Sequence, residues 1–202
     1  MASPSALQQP IRHGVDPDPA LAALGRELEV LREEVALLKA RLAEAEELAD
    51  ADVLAPVLNR RAFMRELKRT IASVGRYGGQ ACLLYFDLDG FKEVNDLHGH
   101  AAGDAALTAV AERLTAHVRE SDVVGRLGGD EFAVILSHTD GAAAAHKAHG
   151  LTAAIRAPVG FNGVEILLRA SCGLREIGGL SSAEQLLADA DAAMFLNKPP
   201  KP

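Results

Sequence analysis

The sequence predicts an α+β fold, a mainly antiparallel central sheet flanked by helices, preceded by a helix that forms a parallel coiled coil. Three observations lead there. Ala81 to Phe86 is a continuous apolar run, as expected of a central strand covered on both faces. Val123 to Arg126 and Phe132 to Leu136 are β-rich runs on either side of Gly128-Gly129, the pattern of a hairpin. Helical spacings of three and four residues lie before, between and after these strands, in the order helix, strand, helices, hairpin, helix, strand, helix.

At 202 residues the chain has room for one ordinary domain and something extra. Hydrophobic residues make up 49% and the net charge is −7, so a soluble globular protein is expected. The acidic balance argues against a nucleic-acid polymer as partner but not against a nucleotide bound through metal. No apolar run approaches a bilayer span, and the N-terminus lacks the basic-then-apolar pattern of a signal peptide. A cytoplasmic protein without membrane contact is the expectation. Cys82 and Cys172 sit in apolar runs without metal-ligand spacing and read as reduced core residues.

Residues 1–19, rich in Pro, Ser and Gln, read as a disordered tail. Residues 20–50 form the coiled-coil segment. Leu21, Leu28, Val35 and Leu42 fall at heptad position a, and Leu24, Leu31, Leu38 and Ala45 at d. In a parallel, in-register dimer the flanking pairs are Glu27 with Arg32, Glu34 with Lys39, and Arg41 with Glu46, all opposite in sign. Each contributes only a fraction of a kcal/mol, but together they favour one orientation. The alternative is one amphipathic helix packed on its own domain.

The remaining residues, 51–202, form the domain. Asp50 to Asn59, with Pro56, reads as a linker. A helix follows from about Arg60 to Val74, with Phe63, Leu67, Ile71 and Val74 on one face, ended by Gly75 and Gly78-Gly79. The strand from Ala81 leads into Asp87-Leu88-Asp89, then a short helix or turn over Phe91 to Leu97 and a loop at His98-Gly99-His100. Ala101 to Val118 is a second long helix. After the hairpin, Asp140 caps a helix over 142–156, and Val164 to Cys172 reads as a strand. Ser181-Ser182-Ala183-Glu184 is a capping-box start for a last helix to about Asn197.

Two acidic clusters, Asp87/Asp89 and Asp130/Glu131, each lie at a strand end. Hard oxygen ligands suit magnesium, which holds one or two carboxylates plus substrate phosphates. Two metals about 4 Å apart activate an attacking oxygen and neutralise a leaving pyrophosphate. If Asp130 and Glu131 continue the strand they point to opposite faces, one free for metal and one for another role. The plainer reading of the hairpin is a tight turn with solvated acids.

Four blocks resemble the GGDEF family, the diguanylate cyclases that make cyclic di-GMP from two GTP. They are Asp87-Leu88-Asp89-Gly90-Phe91-Lys92-Glu93-Val94-Asn95-Asp96, His98-Gly99-His100-Ala101-Ala102-Gly103-Asp104, Arg126-Leu127-Gly128-Gly129-Asp130-Glu131-Phe132, and Ala190-Asp191-Ala192-Ala193-Met194-Phe195-Leu196-Asn197-Lys198. The resemblance covers roughly 52–198 and implies a nucleotidyl-cyclase-like, palm-like fold. It implies two magnesium ions per site, or manganese, on Asp87, the Leu88 carbonyl, Asp130 and Glu131. Glu131 acts at the 3′-hydroxyl, as base or as metal ligand. Asn95 and Asp104 read the guanine edge, and a carboxylate suits its N1 and N2 donors. Phe91 and Lys92 shape the phosphate pocket, Gly128-Gly129 let nucleotide lie on the backbone, and Lys198 neutralises the terminal phosphate. Arg126 supports the transition state or the adjacent site. Arg119-Glu120-Ser121-Asp122 matches the RxxD product-inhibition site. Each domain holds one GTP, so ring closure needs a homodimer, which the heptads supply by raising effective concentration.

Some positions depart from the family pattern. Its D-x-L-T-G-L-x-N-R stretch appears as Asp52-Val53-Leu54-Ala55-Pro56-Val57-Leu58-Asn59-Arg60, without the threonine and glycine. Phe195 replaces a tyrosine, and Asn197 an alanine. After Lys198 the family's Gly-Arg-Asn segment is replaced by Pro199-Pro200-Lys201-Pro202, so either phosphate affinity falls or Lys201 substitutes in part. The rival functions are a non-catalytic sensor of GTP or cyclic di-GMP and a coiled-coil adaptor. Regulation is expected through coiled-coil register or a protein partner on residues 1–20.

Overall fold

The computed structural model describes residues 19–198, in two units divided between Glu46 and Glu47. The expected disordered tail lies outside the described residues, Pro19 apart. Helix α1 (Pro19–Asp50) carries the heptads. Leu24, Leu28, Leu31, Val35 and Leu38 are all exposed on it. The chain thus shows the helix and an apolar seam. A coiled coil needs a second helix against that seam, and one chain does not show it.

The second unit is a five-stranded sheet in the order β1-β3-β4-β2-β7. Its strands are β1 (Leu58–Asn59), β2 (Ala81–Asp89), β3 (Val123–Gly128), β4 (Glu131–Ser137) and β7 (Arg169–Glu176). The expected mainly antiparallel sheet is in fact mixed. β1 pairs parallel with β3, Leu58 opposite Gly125, while the other three pairings are antiparallel. This strand was hidden inside the supposed linker. Two residues carry no alternation to read, and their partner is distant in sequence.

The helices are α2 (Arg60–Tyr77), α3 (Phe91–His98), α4 (His100–Ala116), α5 (Gly141–Ile155) and α6 (Ala183–Leu196). One sheet face packs Leu84, Phe86, Phe132 and Val134 with Leu107, Val110 and Leu114 of α4 and Leu151 and Ile155 of α5. The other packs Leu83, Tyr85, Ala133 and Ile135 with Phe63 and Leu67 of α2 and Leu187 and Met194 of α6. Alternation along β2 and β4 divides the residues between these two cores.

Local signals mostly hold. Asn59 caps α2 by accepting from Ala62 N at 3.0 Å, and Asp140 caps α5 by accepting from Ala143 N at 2.7 Å. Other boundaries move. α2 runs past Gly75, whose missing Cβ admits Gly179 (its carbonyl oxygen would lie 3.0 Å from a Cβ), and stops at Gly78. The capping frame of α6 shifts by one residue: Ser182 accepts from Gln185 N at 3.0 Å. Only Gly99 separates α3 from α4.

The expected strand Val164 to Cys172 is two strands. β5 (Val159–Phe161) and β6 (Val164–Ile166) form a separate hairpin, and β7 joins the main sheet. The turn is Asn162-Gly163, with φ of 48° and 81°. An Asn-Gly pair between apolar runs is a hairpin signal that the sequence did contain.

Candidate active site

The hairpin of β3 and β4 sets its tip beside the end of β2. Leu88 N donates to Asp130 O at 3.2 Å, and Asp87 lies directly opposite Glu131 in the ladder. Asp130 does not continue the strand. It occupies the turn with Gly129, whose φ is +45°, and β4 begins at Glu131. The two acidic clusters therefore meet at one end of the central strands β2 and β4.

The electrostatics there are unbalanced. Burial, then the charge of Asp87, pushes the Asp130 carboxyl above its usual range; Glu131 adds to this and Lys198 partly offsets it. Lys198 Nζ lies 2.8 Å from Asp87 Oδ1. Burial would lower its pKa, but the hydrogen bond and charge of Asp87, with Asp89 and Asp130 behind it, raise it. Three carboxylates thus share one described ammonium.

Several residues at this end of the sheet were not foreseen. Ser171, a buried polar residue of β7, donates to both Asp89 oxygens, at 2.9 and 3.1 Å. The buried Tyr85 phenol has its pKa raised by burial, then by its hydrogen bond to Glu131. Arg60 donates to Leu127 O at 3.3 Å. No local pattern marks these contacts, because strand register and the packing of α2 on the sheet create them.

Arg126 is fully engaged. Its Nε and Nη2 donate to Gly129 O at 3.0 and 2.8 Å, and Nη1 pairs with Asp52 Oδ1 at 3.0 Å. Asp52 also accepts from Leu54 N and Ala55 N, each at 3.0 Å. These bonds and Arg126 hold its carboxyl below the usual range despite burial, the largest opposing cause. The segment read as a linker is thus tied directly to the hairpin tip.

Asn95 lies against α4. A Cβ on Gly103 would meet Asn95 Oδ1 at 1.9 Å and the Phe91 ring at 3.2 Å, so glycine is required for Asn95 to lie beside Asp104. Phe91 is buried, while Lys92 and Asp104 are exposed. The RxxD turn stands at the other end of the hairpin. Asp122 accepts from Arg119 N at 2.9 Å and Ser137 N at 3.0 Å, while Arg119 is exposed.

Among the described residues no three His, Cys, Asp or Glu side chains form a ready-made metal cage. The donors present still fit a hard cation: the carboxylates of Asp87 and Asp130 crowd each other, and Leu88 N bonds the Asp130 backbone between them. Magnesium is bound by one or two carboxylates and substrate phosphates rather than an all-protein cage. Both thiols are free and driven up by burial, Cys82 to about 11 and Cys172 to about 12, as expected of inert core residues.

This fold, with acids on a glycine-tipped hairpin facing a strand end, has the form of a nucleotidyl-transferring domain. The family model "Diguanylate cyclase, GGDEF domain" matches residues 49–201, and the chain belongs to the GGDEF family. Diguanylate cyclase TpbB of Pseudomonas aeruginosa is 37% identical over 187 residues, covering 88% of this chain and 42% of that protein. The chain thus spans less than half the length of that relative. A sensory box/GGDEF family protein from Caulobacter crescentus superposes with a TM-score of 0.69 at 38% identity, over 73% of this chain and 97% of that one. The coiled coil and GGDEF domain of DgcB from the same organism, a complex with c-di-GMP, gives a TM-score of 0.74 at 26% identity, over 86% and 93%. Among the described residues no helix is long and apolar enough to cross a membrane.

Proposed function

We propose that the chain is a diguanylate cyclase, condensing two GTP into cyclic di-GMP as a homodimer. The observation that carries this reading is the meeting of Asp87, Asp130 and Glu131 at one end of β2 and β4, with Lys198 2.8 Å from Asp87. Asp87, the Leu88 carbonyl and Asp130 would hold magnesium, which would supply charge neutralisation for the α-phosphate and for the departing pyrophosphate. Glu131 serves the 3′-hydroxyl. The 3′-hydroxyl gives up its proton, to Glu131 where that residue acts as base or otherwise to solvent; its oxygen bonds to the α-phosphorus of the other GTP, the bond to the bridging oxygen breaks, and pyrophosphate leaves with the electron pair. Two such displacements close the ring.

Asn95 and Asp104 read guanine, while Phe91, Lys92 and the Gly128-Gly129 backbone shape the phosphate end. Lys198 turns from Asp87 to the terminal phosphate. Arg126 keeps the hairpin tip in place through Gly129 O, and so supports the transition state indirectly. The seam of Leu24, Leu28, Leu31, Val35 and Leu38 pairs with the same seam of a second copy in parallel. This brings two half-sites together. Arg119 on its exposed turn, oriented by Asp122, binds product as a feedback site. The setting is cytoplasmic, and coiled-coil register or a protein partner on residues 1–20 sets the angle between the two sites.

The test is incubation with GTP and magnesium, resolving nucleotides chromatographically over time. Cyclic di-GMP that plateaus early, and accumulates further with Arg119→Ala, supports both catalysis and feedback. No product, with GTP or cyclic di-GMP still bound, moves the reading to a sensor. Activity unchanged after re-registering 21–49 at high protein concentration removes the coiled coil from the mechanism.

A further inference from the structure

Lys198 follows directly on the last helix, where side chains and backbone normally fray. Yet its ammonium is held over the acidic strand ends. What holds it there is visible in α6 and β7. Gly173 of β7 lies directly under the α6 backbone: a Cβ there would meet Ala190 O at 2.0 Å and Met194 N at 2.5 Å. Farther along the helix, the exposed Asn197 at its C-cap donates from Nδ2 to Cys172 O at 2.8 Å. Cys172 stands opposite Phe86 in the ladder and Ser171 opposite Asp87. The anchor and the residue that Lys198 reaches are therefore one step apart along adjacent strands.

We infer that Asn197 is a positioning residue for Lys198, fixing the end of α6 to the open edge of the sheet so that the ammonium is delivered to the phosphate-binding strand ends. The inference rests on the proposed function for what the ammonium then does. Backbone bonds from Asn197 N to Met194 O (2.9 Å) and Lys198 N to Phe195 O (3.2 Å) continue the helical turn. Beyond the close backbone packing at Gly173, the Asn197 side chain adds a hydrogen bond from that turn to β7. Alanine, which the family pattern has at this position, cannot make that bond.

The experiment is a double-mutant cycle of Asn197→Ala and Lys198→Ala in the full chain. Asn197→Ala is expected to raise the GTP KM about five-fold, the equivalent of one ordinary hydrogen bond. The kcat stays within about twofold and the melting midpoint within about 2 °C. In the Lys198→Ala background, adding Asn197→Ala leaves KM unchanged. A KM effect of the same size with and without Lys198, or a lowered midpoint with unchanged KM, overturns the inference. The anchoring is also read without turnover, by NMR of isotope-labelled lysine side chains. Loss of the Lys198–Asp87 signature in Asn197→Ala supports it and retention refutes it. A wild type that makes no cyclic di-GMP would instead count against the proposed function, while the NMR outcome still decides the positioning.

Discussion

Asp52 and Asp130 are half-buried carboxylates tied to the same hairpin tip, and they are treated in opposite ways. Asp52 receives Leu54 N, Ala55 N and the Arg126 guanidinium, and its pKa falls below the ordinary range. Asp130 is buried first and then crowded by Asp87 and Glu131, with only part of one ammonium to offset them, and its pKa rises. Arg126 links them: one edge of its guanidinium pairs with Asp52 and the other clamps Gly129 O, next to Asp130. A carboxylate whose partners come from the fold stabilises the fold. One left short of partners is a cost at rest and is suited to a ligand that brings positive charge.

The strongest way to break this contrast is to neutralise each acid. On the proposed role of Asp130 as a metal ligand, Asp130→Asn should reduce cyclic di-GMP synthesis at least about a hundredfold. It should also raise the melting midpoint by roughly 1–3 °C, because like-charge repulsion disappears. Calorimetry and a turnover assay on the same preparation check both signs. A fall in both would mean that Asp130 is structural.

Asp52→Ala should do the reverse to stability. It strands a largely buried guanidinium (side chain 14% exposed) and frees two turn amides, a loss of about 2–3 kcal/mol. The midpoint then drops by roughly 5–10 °C. Activity lost beyond this destabilisation would show that the hairpin tip depends on the Asp52–Arg126 tie.

A pH titration of stability sharpens the same comparison. The Asp52 carboxyl is depressed in the fold, so its contribution is full above the unfolded value near 4 and fades as pH falls through the folded value. The Asp130 carboxyl is raised, so its penalty is absent below the unfolded value and grows as pH rises through the folded one. Denaturant melts of Asp52→Asn and Asp130→Asn from pH 3 to 7 should therefore diverge from wild type in opposite directions as pH rises.

The smallest expected effect concerns recognition away from the tip. Gly103→Ala forces Asn95 from its place against α4. The GTP KM should rise about tenfold, the scale of one lost base contact, and discrimination against ATP should shrink. An unchanged GTP-to-ATP ratio would remove Asn95 from the guanine site.

Much of this arrangement was readable in one dimension. The periodicity of α2, α4 and α6, the apolar run of β2, the glycine-paired hairpin and the Asp140 cap are local, because helix and strand patterns repeat within a few residues. Family motifs also marked Asp87, Asn95, Asp104, Asp130, Glu131 and Lys198 before their positions were known. The β5–β6 turn at Asn162-Gly163 also carries a local signal, an Asn-Gly pair between apolar runs. The strand at Leu58–Asn59, the Ser171–Asp89 bond, the Tyr85–Glu131 contact and the Asp52–Arg126 tie had none. Residues 74 positions apart meet only when the sheet has chosen its order and register. Local patterning determined most of the elements, and the family motifs marked which side chains the candidate site draws on. The tertiary structure decided which carboxylates find partners and which do not, because that balance depends on neighbours supplied by distant strands.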